Sequence, residues 1–258
     1  MTTRKNTQSA RGEAFAPEPA RGTVSLARAL SKLGIASRTL ASAWIEAGRV
    51  AVNGTRVINA AQRIDMACDA IAVDGVPVQS AHKRYCAFNK PRGVVTTTRD
   101  EQGRASVYDT LPELRAQWLA PVGRLDKASE GLLLFTNDTQ WAQRVLDPLG
   151  TVAKVYHVQI DALPDASVLV ALRAGVVLDD GSRTAPAGVS LLRQGAKTSW
   201  LEIILQEGRN RQIRRMLACF DIPVRRLVRV AIGAVQLGDL AKGALRDLTA
   251  HEIKALGG

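Results

Sequence analysis

The stretch PVGRLDKASEGLLLFTND, residues 121–138, constrains this chain more than any other. Leu132 to Phe135 is an unbroken apolar run, suited to a buried strand. A turn of small residues precedes it, and between turn and run stands Asp126. An acid held at the mouth of a buried strand is a good place for chemistry. Asn137-Asp138-Thr139 then offers a cap for a helix bearing Trp141, Ala142, Val145 and Leu146, with Pro148 and Gly150 to end it.

The chain on either side reads as strands with helices interspersed irregularly. Tyr85 to Phe88 is a strand, and Asn89-Lys90-Pro91-Arg92-Gly93 a turn whose two cations, Lys90 and Arg92, could touch phosphate. Thr96–Gln102 is a loop and Val107–Leu111 a helical turn before Pro112. KVYHVQI, residues 154–160, is a strand; a helix over about 164–174 turns Leu169 and Leu172 inward. Strands are expected over 189–192, 200–205, 224–230 and 234–237, and Thr249 with Glu252 forms a capping box for a last short helix. In EGRNRQIRRMLACF, residues 207–220, Ile213, Met216, Leu217 and Phe220 recur at i, i+3, i+4, i+7, a core stripe; Arg211 and Arg215 lie opposite it and Arg214 on its flank. This pattern suits an α+β fold with a mixed, mainly antiparallel sheet better than regular βαβ winding.

The N-terminal part is a separate small unit. Residues 1–22 are polar and basic without periodicity, as in a disordered tail. Leu26, Leu30 and Leu33 have helical spacing before Gly34; Ser37 can cap a second helix carrying Leu40, Trp44 and Ile45 and stopped by Gly48. Val50-Ala51-Val52, Asn53-Gly54 and Val57 make a hairpin, and Asp74-Gly75 marks another. Over residues 24–56 the single acid Glu46 stands against Arg28, Lys32, Arg38, Arg49 and Arg56. Such one-sided charge is expected of an RNA contact surface. A polar linker at 82–84 leads into the larger domain, so the expected boundaries are 1–22, 23–82 and 83–258.

Composition narrows the partner. With 35 basic and 24 acidic residues the net charge is +11, which favours a polyanion. No apolar run approaches the ~18 residues of a membrane span, and no secretory leader is visible. Cys68, Cys86 and Cys219, like His82, His157 and His251, are scattered without metal-ligand spacing, which fits a reducing cytoplasm. No phosphate-binding or dinucleotide fingerprint is present, so no nucleotide cofactor is expected.

Residues 24–56, including IASRTLASAWIEAGRVAVNG, resemble the small RNA-binding module shared by ribosomal protein S-four and several RNA-modifying enzymes. GRLDKASEGLLLFTND resembles the active-site motif of the pseudouridine synthases that modify ribosomal RNA, and KVYHVQI and EGRNRQIRRM match that branch's other motifs in order. The resemblance implies an isomerase that turns a flipped-out uridine of ribosomal RNA into its C-glycoside without cofactor or metal. It places the catalytic aspartate at Asp126, the active-site tyrosine at Tyr156 and the arginine that pairs with the aspartate at Arg214, with Arg209 as the alternative. Tyr156 should share a buried strand face with Val158 and Ile160. Arg124, on the same strand face as Asp126, should fill the space the base leaves. Arg28, Lys32, Arg38, Arg49, Lys90, Arg92, Arg124, Arg209 and Arg211 are the expected RNA contacts. Large-subunit RNA is preferred over small-subunit RNA, and a monomer over an oligomer because no long apolar patch stands out. The rivals are a non-catalytic ribosome-assembly factor and a carboxylate hydrolase; the latter needs a second acid, for which Glu130, beyond a Ser-Glu-Gly turn, is the candidate.

Overall fold

The computed structural model describes residues 23–97, 100, 102–147 and 152–258. The expected tail over 1–22, part of the loop over 96–102, and the helix stop at Pro148 and Gly150 lie outside the described residues. Two compact units are present: one runs up to Ala29 and resumes over Thr39–Val78, and the other comprises Leu30–Arg38 and Gln79–Gly258.

β1 (Val24–Ser25) leads into α1 (Leu26–Lys32). α1 stops where the sequence expects: Gly34 takes φ 74°, and the Ile35 N–H reaches back to the Leu30 carbonyl at 3.1 Å. α2 (Arg38–Glu46) starts one residue after Ser37 and buries Ala41 and Ile45, while Leu40 is exposed. β2 (Val50–Val52) and β3 (Thr55–Val57) are joined by Asn53 and Gly54, both left-handed at φ 51° and 78°, the combination of a type I′ hairpin. β4 (Arg63–Ile64) pairs with β1. β5 (Ile71–Val73) and β6 (Val76–Pro77) repeat the device through Asp74 and Gly75, giving the sheet order β3-β2-β5-β6.

The second unit begins its sheet with β7 (Tyr85–Lys90). Here the expected turn is corrected: Asn89 and Lys90 continue the strand, buried. α3 (Val107–Thr110) and α4 (Pro112–Ala116) precede β8 (Ala120–Val122) and β9 (Glu130–Thr136). α5 (Thr139–Leu146) is capped by Asp138, whose carboxylate accepts the N–H groups of Gln140 and Trp141 at 3.0 and 3.1 Å. Then come β10 (Lys154–Ile160), α6 (Ala166–Ala174), β11 (Gly188–Gln194), β12 (Ser199–Leu205), α7 (Gln212–Ala218), β13 (Val224–Ile232), β14 (Val235–Gln236), β15 (Leu245–Asp247) and α8 (Ala250–Ala255), the last begun by the expected Thr249–Glu252 capping box. Among the described residues the strands form one nine-stranded sheet, ordered β11-β12-β10-β13-β9-β7-β15, with β14 beside β13 and β8 beside β9. Pairing is antiparallel except where β13 meets β9 in parallel, so the sheet is mixed and mainly antiparallel.

Every residue of β9 is buried, because the strand is covered on both faces. Leu132 and Leu134 pack with Trp141 and Val145 of α5; Leu133 and Phe135 pack with Phe88, Val107 and Tyr108. That is why the apolar run does not alternate. Ser129-Glu130-Gly131 is no turn. Glu130 opens β9, buried, held by Arg226 of β13 at 2.9 Å and by Lys242 in the turn before β15 at 2.5 Å, and so it is committed to two cations.

Gly131 sets the spacing of the parallel seam. Its φ is 103°, and a Cβ there would meet the Arg229 carbonyl oxygen at 2.4 Å and its nitrogen at 2.9 Å. Both obstacles are backbone, so no rotamer change relieves them. Gly131→Ala is therefore expected to cost about 2–4 kcal/mol, from left-handed strain plus a forced opening of β9 from β13. Urea unfolding of the variant beside the wild type measures it.

Candidate active site

Asp126 sits in the irregular segment between β8 and β9, and its side chain is 35% exposed. Because this segment is a loop, the expected shared strand face of Arg124 and Asp126 is not how they meet; Arg124 is exposed and Leu125 between them is buried. Two internal bonds shape the loop: the Ser129 N–H donates to the Asp126 carbonyl at 3.0 Å, and Thr96 Oγ1 donates to the Leu125 carbonyl at 2.8 Å.

The third support is Lys90. Its ammonium lies fully buried beneath the loop and donates to the carbonyls of Pro91 (3.1 Å), Asp126 (3.1 Å) and Ser129 (2.9 Å). This corrects the expectation that Lys90 touches phosphate: an interior ammonium with its protons spent on carbonyls is a structural tie. Burial pushes its pKa down to about 8, against the upward pull of Asp126 and Glu130.

Asp126 opens onto a cavity of about 270 Å³. Tyr156 on β10, Leu205 ending β12, Ile213 of α7 and Leu227 of β13 supply its apolar wall. Tyr156 is half-buried rather than fully interior, packed against two core clusters with one side on the cavity. Arg124, Arg209, Arg211 and Arg214 line the same space. The arrangement is a small pocket with an apolar slot for a flat ring, one carboxylate at its edge and several guanidinium groups around it.

The arginines do not take the expected partners. Arg211 comes nearest to Asp126, its Nη1 lying 3.8 Å from Oδ2. It stands outside the helix, at the position before α7, in a left-handed conformation (φ 49°, ψ 31°) that turns it toward the loop. Arg214 donates to the carbonyls of Val224 and Ala128, each at 3.2 Å, and its buried Nε has no partner. Burial, and then Arg211, pull the Arg214 pKa down, while Asp126 pulls it up. Arg214 thus senses the carboxylate without bonding it. Arg209 is committed to Glu207 at 2.9 Å and Ser182 Oγ at 2.9 Å. Gln212 braces that corner, accepting the Arg209 N–H and donating to Glu207 at 2.5 Å. Arg215 pairs with Asp179 and Asp180 and faces away from Asp126. Arg92 is exposed, its Nη1 3.5 Å from the Arg225 carbonyl.

Toward the N-terminus, Arg28 of α1 and Arg38 of α2 are exposed, whereas Lys32 at the end of α1 is half-buried. Arg49 is held bidentately by Asp74 at 3.0 and 2.5 Å and lies 5.1 Å over the Trp44 ring, so its charge is already partnered. Sequence reasoning gave Lys90 a different role and did not single out Gln212 or Arg229. Arg229 is 6% exposed and falls in phase with Leu227 and Ala231, a period-2 signal that marks it as inward-facing. Among the described residues no group of three or more His, Cys, Asp and Glu side chains is placed to hold a metal ion.

A carboxylate at the edge of a ring-sized slot amid arginines, in a chain that also carries a small basic helix–hairpin unit, points to an enzyme that acts on a nucleic-acid base. The comparisons with known proteins make this specific. The model of the RNA pseudouridylate synthase family matches residues 84–219, and that of the S4 domain matches residues 24–71. This chain belongs to the RNA pseudouridylate synthase family. An uncharacterized RNA pseudouridine synthase of Aquifex aeolicus is 37% identical over 228 residues, 88% of this chain and 91% of its own. The ribosomal large subunit pseudouridine synthase B of Bacillus subtilis is 36% identical over 233 residues, 90% of this chain and 94% of its own. A crystal structure of a pseudouridylate synthase superposes with a TM-score of 0.66 at 28% identity, over 90% of this chain and 99% of that one.

Lys90 generates a test. An ordinary lysine titrates near ~10.4, so between about 8 and about 10.4 the unfolded chain holds a proton that the folded chain has released. The sign follows: the native state is penalised below that window, and stability gains as pH rises through it. Lys90→Met should lose about 2 kcal/mol at pH 7.5, from carbonyls left without donors. Its deficit relative to wild type should widen by pH 10, as read by urea unfolding at both pH values.

Proposed function

We propose that this chain isomerises a specific uridine of large-subunit ribosomal RNA to pseudouridine, with Asp126 as the nucleophile. The observation that carries the reading is the convergence of Asp126, Tyr156 and Arg214 on one ring-sized cavity from three distant segments. The relative in Bacillus subtilis supports the large subunit as the source of the RNA. Tyr156, Leu205, Ile213 and Leu227 receive the uracil ring once it leaves the stack. The Asp126 carboxylate bonds C1′ of the ribose as the bond from C1′ to N1 breaks, and the electron pair departs with the uracil. Arg211 and Arg214 hold the uracil anion near the sugar while it turns. C5 then attacks C1′, releasing the carboxylate; the C5 proton leaves and N1 gains one, so substrate and product are isomers. The Tyr156 hydroxyl stands at that proton transfer. The chemistry uses no nucleotide cofactor, and the chain acts as a monomer. Residues 23–82 serve as the RNA-binding domain and 83–258 as the catalytic domain. In the former Arg28, Lys32 and Arg38 contact phosphates, recognising backbone and shape, since Trp44 is the one aromatic there and it is occupied by Arg49.

Asp126→Asn should lower pseudouridine formation on large-subunit RNA by at least ~1,000-fold while RNA affinity stays within about 3-fold. Tritium release from C5 of labelled uridine, beside filter binding, reads both. An active Asp126→Asn protein would refute the nucleophile, and a wild type that modifies small-subunit RNA alone would refute the substrate. Separately, Arg28→Ala with Arg38→Ala should flatten the slope of log affinity against log salt by roughly 1–2 and leave single-turnover chemistry on saturating RNA unchanged.

A further inference from the structure

Beside the cavity of Asp126 lies a second one of about 450 Å³. Gly123, Arg124 and Tyr156 belong to the walls of both. Two cations in the second cavity have no role in the reaction set out above. Lys154 and Tyr156, two apart on β10, face the same way, and Arg229 on β13 pairs directly across from Tyr156. Lys154, Tyr156 and Arg229 therefore form one patch on one face of the sheet.

The patch is charged without being neutralised. Arg229 is 6% exposed; its Nε donates to the Leu132 carbonyl at 2.7 Å, and its Nη2 is buried with no hydrogen-bond partner. Lys154 is half-buried and joins no ion pair among the described residues. Of the acids lining the cavity, Glu207 is engaged by Arg209, Gln212 and the Ala185 N–H, and Asp147 has interactions of its own. Burial, and next to it Arg229, push the Lys154 pKa down: two like charges are held close. An interior guanidinium with an idle N–H, beside an ammonium, matches the multiple acceptor oxygens of a phosphate.

We propose that Lys154 and Arg229 form a phosphate subsite that grips one backbone phosphodiester of the RNA next to the uridine held at Asp126. The inference rests on the uridine entering at Asp126. The shared wall of Tyr156 and Arg124 separates ring slot from phosphate slot, so a nucleotide with its base against Tyr156 presents its own backbone to the second cavity. The subsite positions the nucleotide and takes no part in bond making. Lys154 and Arg229 are therefore positioning residues.

The test compares wild type, Lys154→Gln and Lys154→Arg on a large-subunit ribosomal RNA transcript across a salt series, with thermal melting as the folding control. Lys154→Gln should raise KM about 10-fold with kcat changed less than about 3-fold. It should also reduce the slope of log kcat/KM against log salt by roughly 0.7, the share of one single-strand phosphate contact. Lys154→Arg should restore both. The same slopes are read by filter binding of oligouridylate in the Asp126→Asn background. If the wild type makes no pseudouridine, the proposed reaction fails, while the binding slopes still decide the subsite. An unchanged KM and slope, or a lowered melting temperature with the slope intact, would overturn it.

Discussion

The loop that carries Asp126 hangs on one buried ammonium. Lys90 ties the carbonyls of Pro91, Asp126 and Ser129 to the end of β7, and it does so from an interior position where a charge is costly. The cost is tolerated because Asp126 and Glu130 lie close enough to favour the charged form. Two acids thus help to retain the cation that positions one of them. The loop's far end is fastened independently, by Glu130 between Arg226 and Lys242. With both ends anchored, the backbone at Asp126 is a fixed platform, and what remains adjustable is the side-chain layer above it.

That layer is dominated by positive charge. Arg211 stands nearest to the carboxylate, Arg214 behind it on backbone carbonyls, and Arg209 turned aside to Glu207. The contact between Arg211 and Asp126 is long for an ion pair and half-exposed, so water and an incoming phosphate can compete for it. Arg214 holds an unpartnered Nε beside Asp126. Of these two arginines Arg211 is the exposed one, while the carbonyls holding Arg214 keep that guanidinium from drifting into solvent.

Much of this was legible in the sequence, and the failures share a cause. Hairpins at Asn53-Gly54 and Asp74-Gly75, the Asp138 and Thr249 caps and the α7 stripe follow from local stereochemistry, which short windows contain. Asp126, Tyr156 and the arginine-rich segment stood out because each sits in a motif, and all three line one cavity. What could not be read were side-chain destinations set by tertiary contact. Lys90 beside Pro91 looks like a solvated turn until β7 is seen to continue into the core. Glu130 looks like a turn residue until β13 supplies Arg226. Arg214 was matched to Asp126 by motif, but its actual bonds go to Ala128 and Val224, contacts of 86 and 10 residues' separation that no pattern announces. β1 and β4, two residues each, are too short for any period to show.

The close approach at Gly131 bears on how this fold tolerates divergence. Neighbouring strands of a sheet are spaced by their backbone hydrogen bonds, but a side chain can still force a pair apart where the two backbones approach more closely than usual. Between β9 and β13 the spacing is set by backbone against backbone at Gly131 and Arg229. The loop bearing Asp126 enters one of those strands, and the other lies beside β10 with its Tyr156. The distance between acid and ring is thus referenced to a contact that contains no side chain. Side chains around this seam can be exchanged without disturbing that reference, provided residue 131 stays glycine.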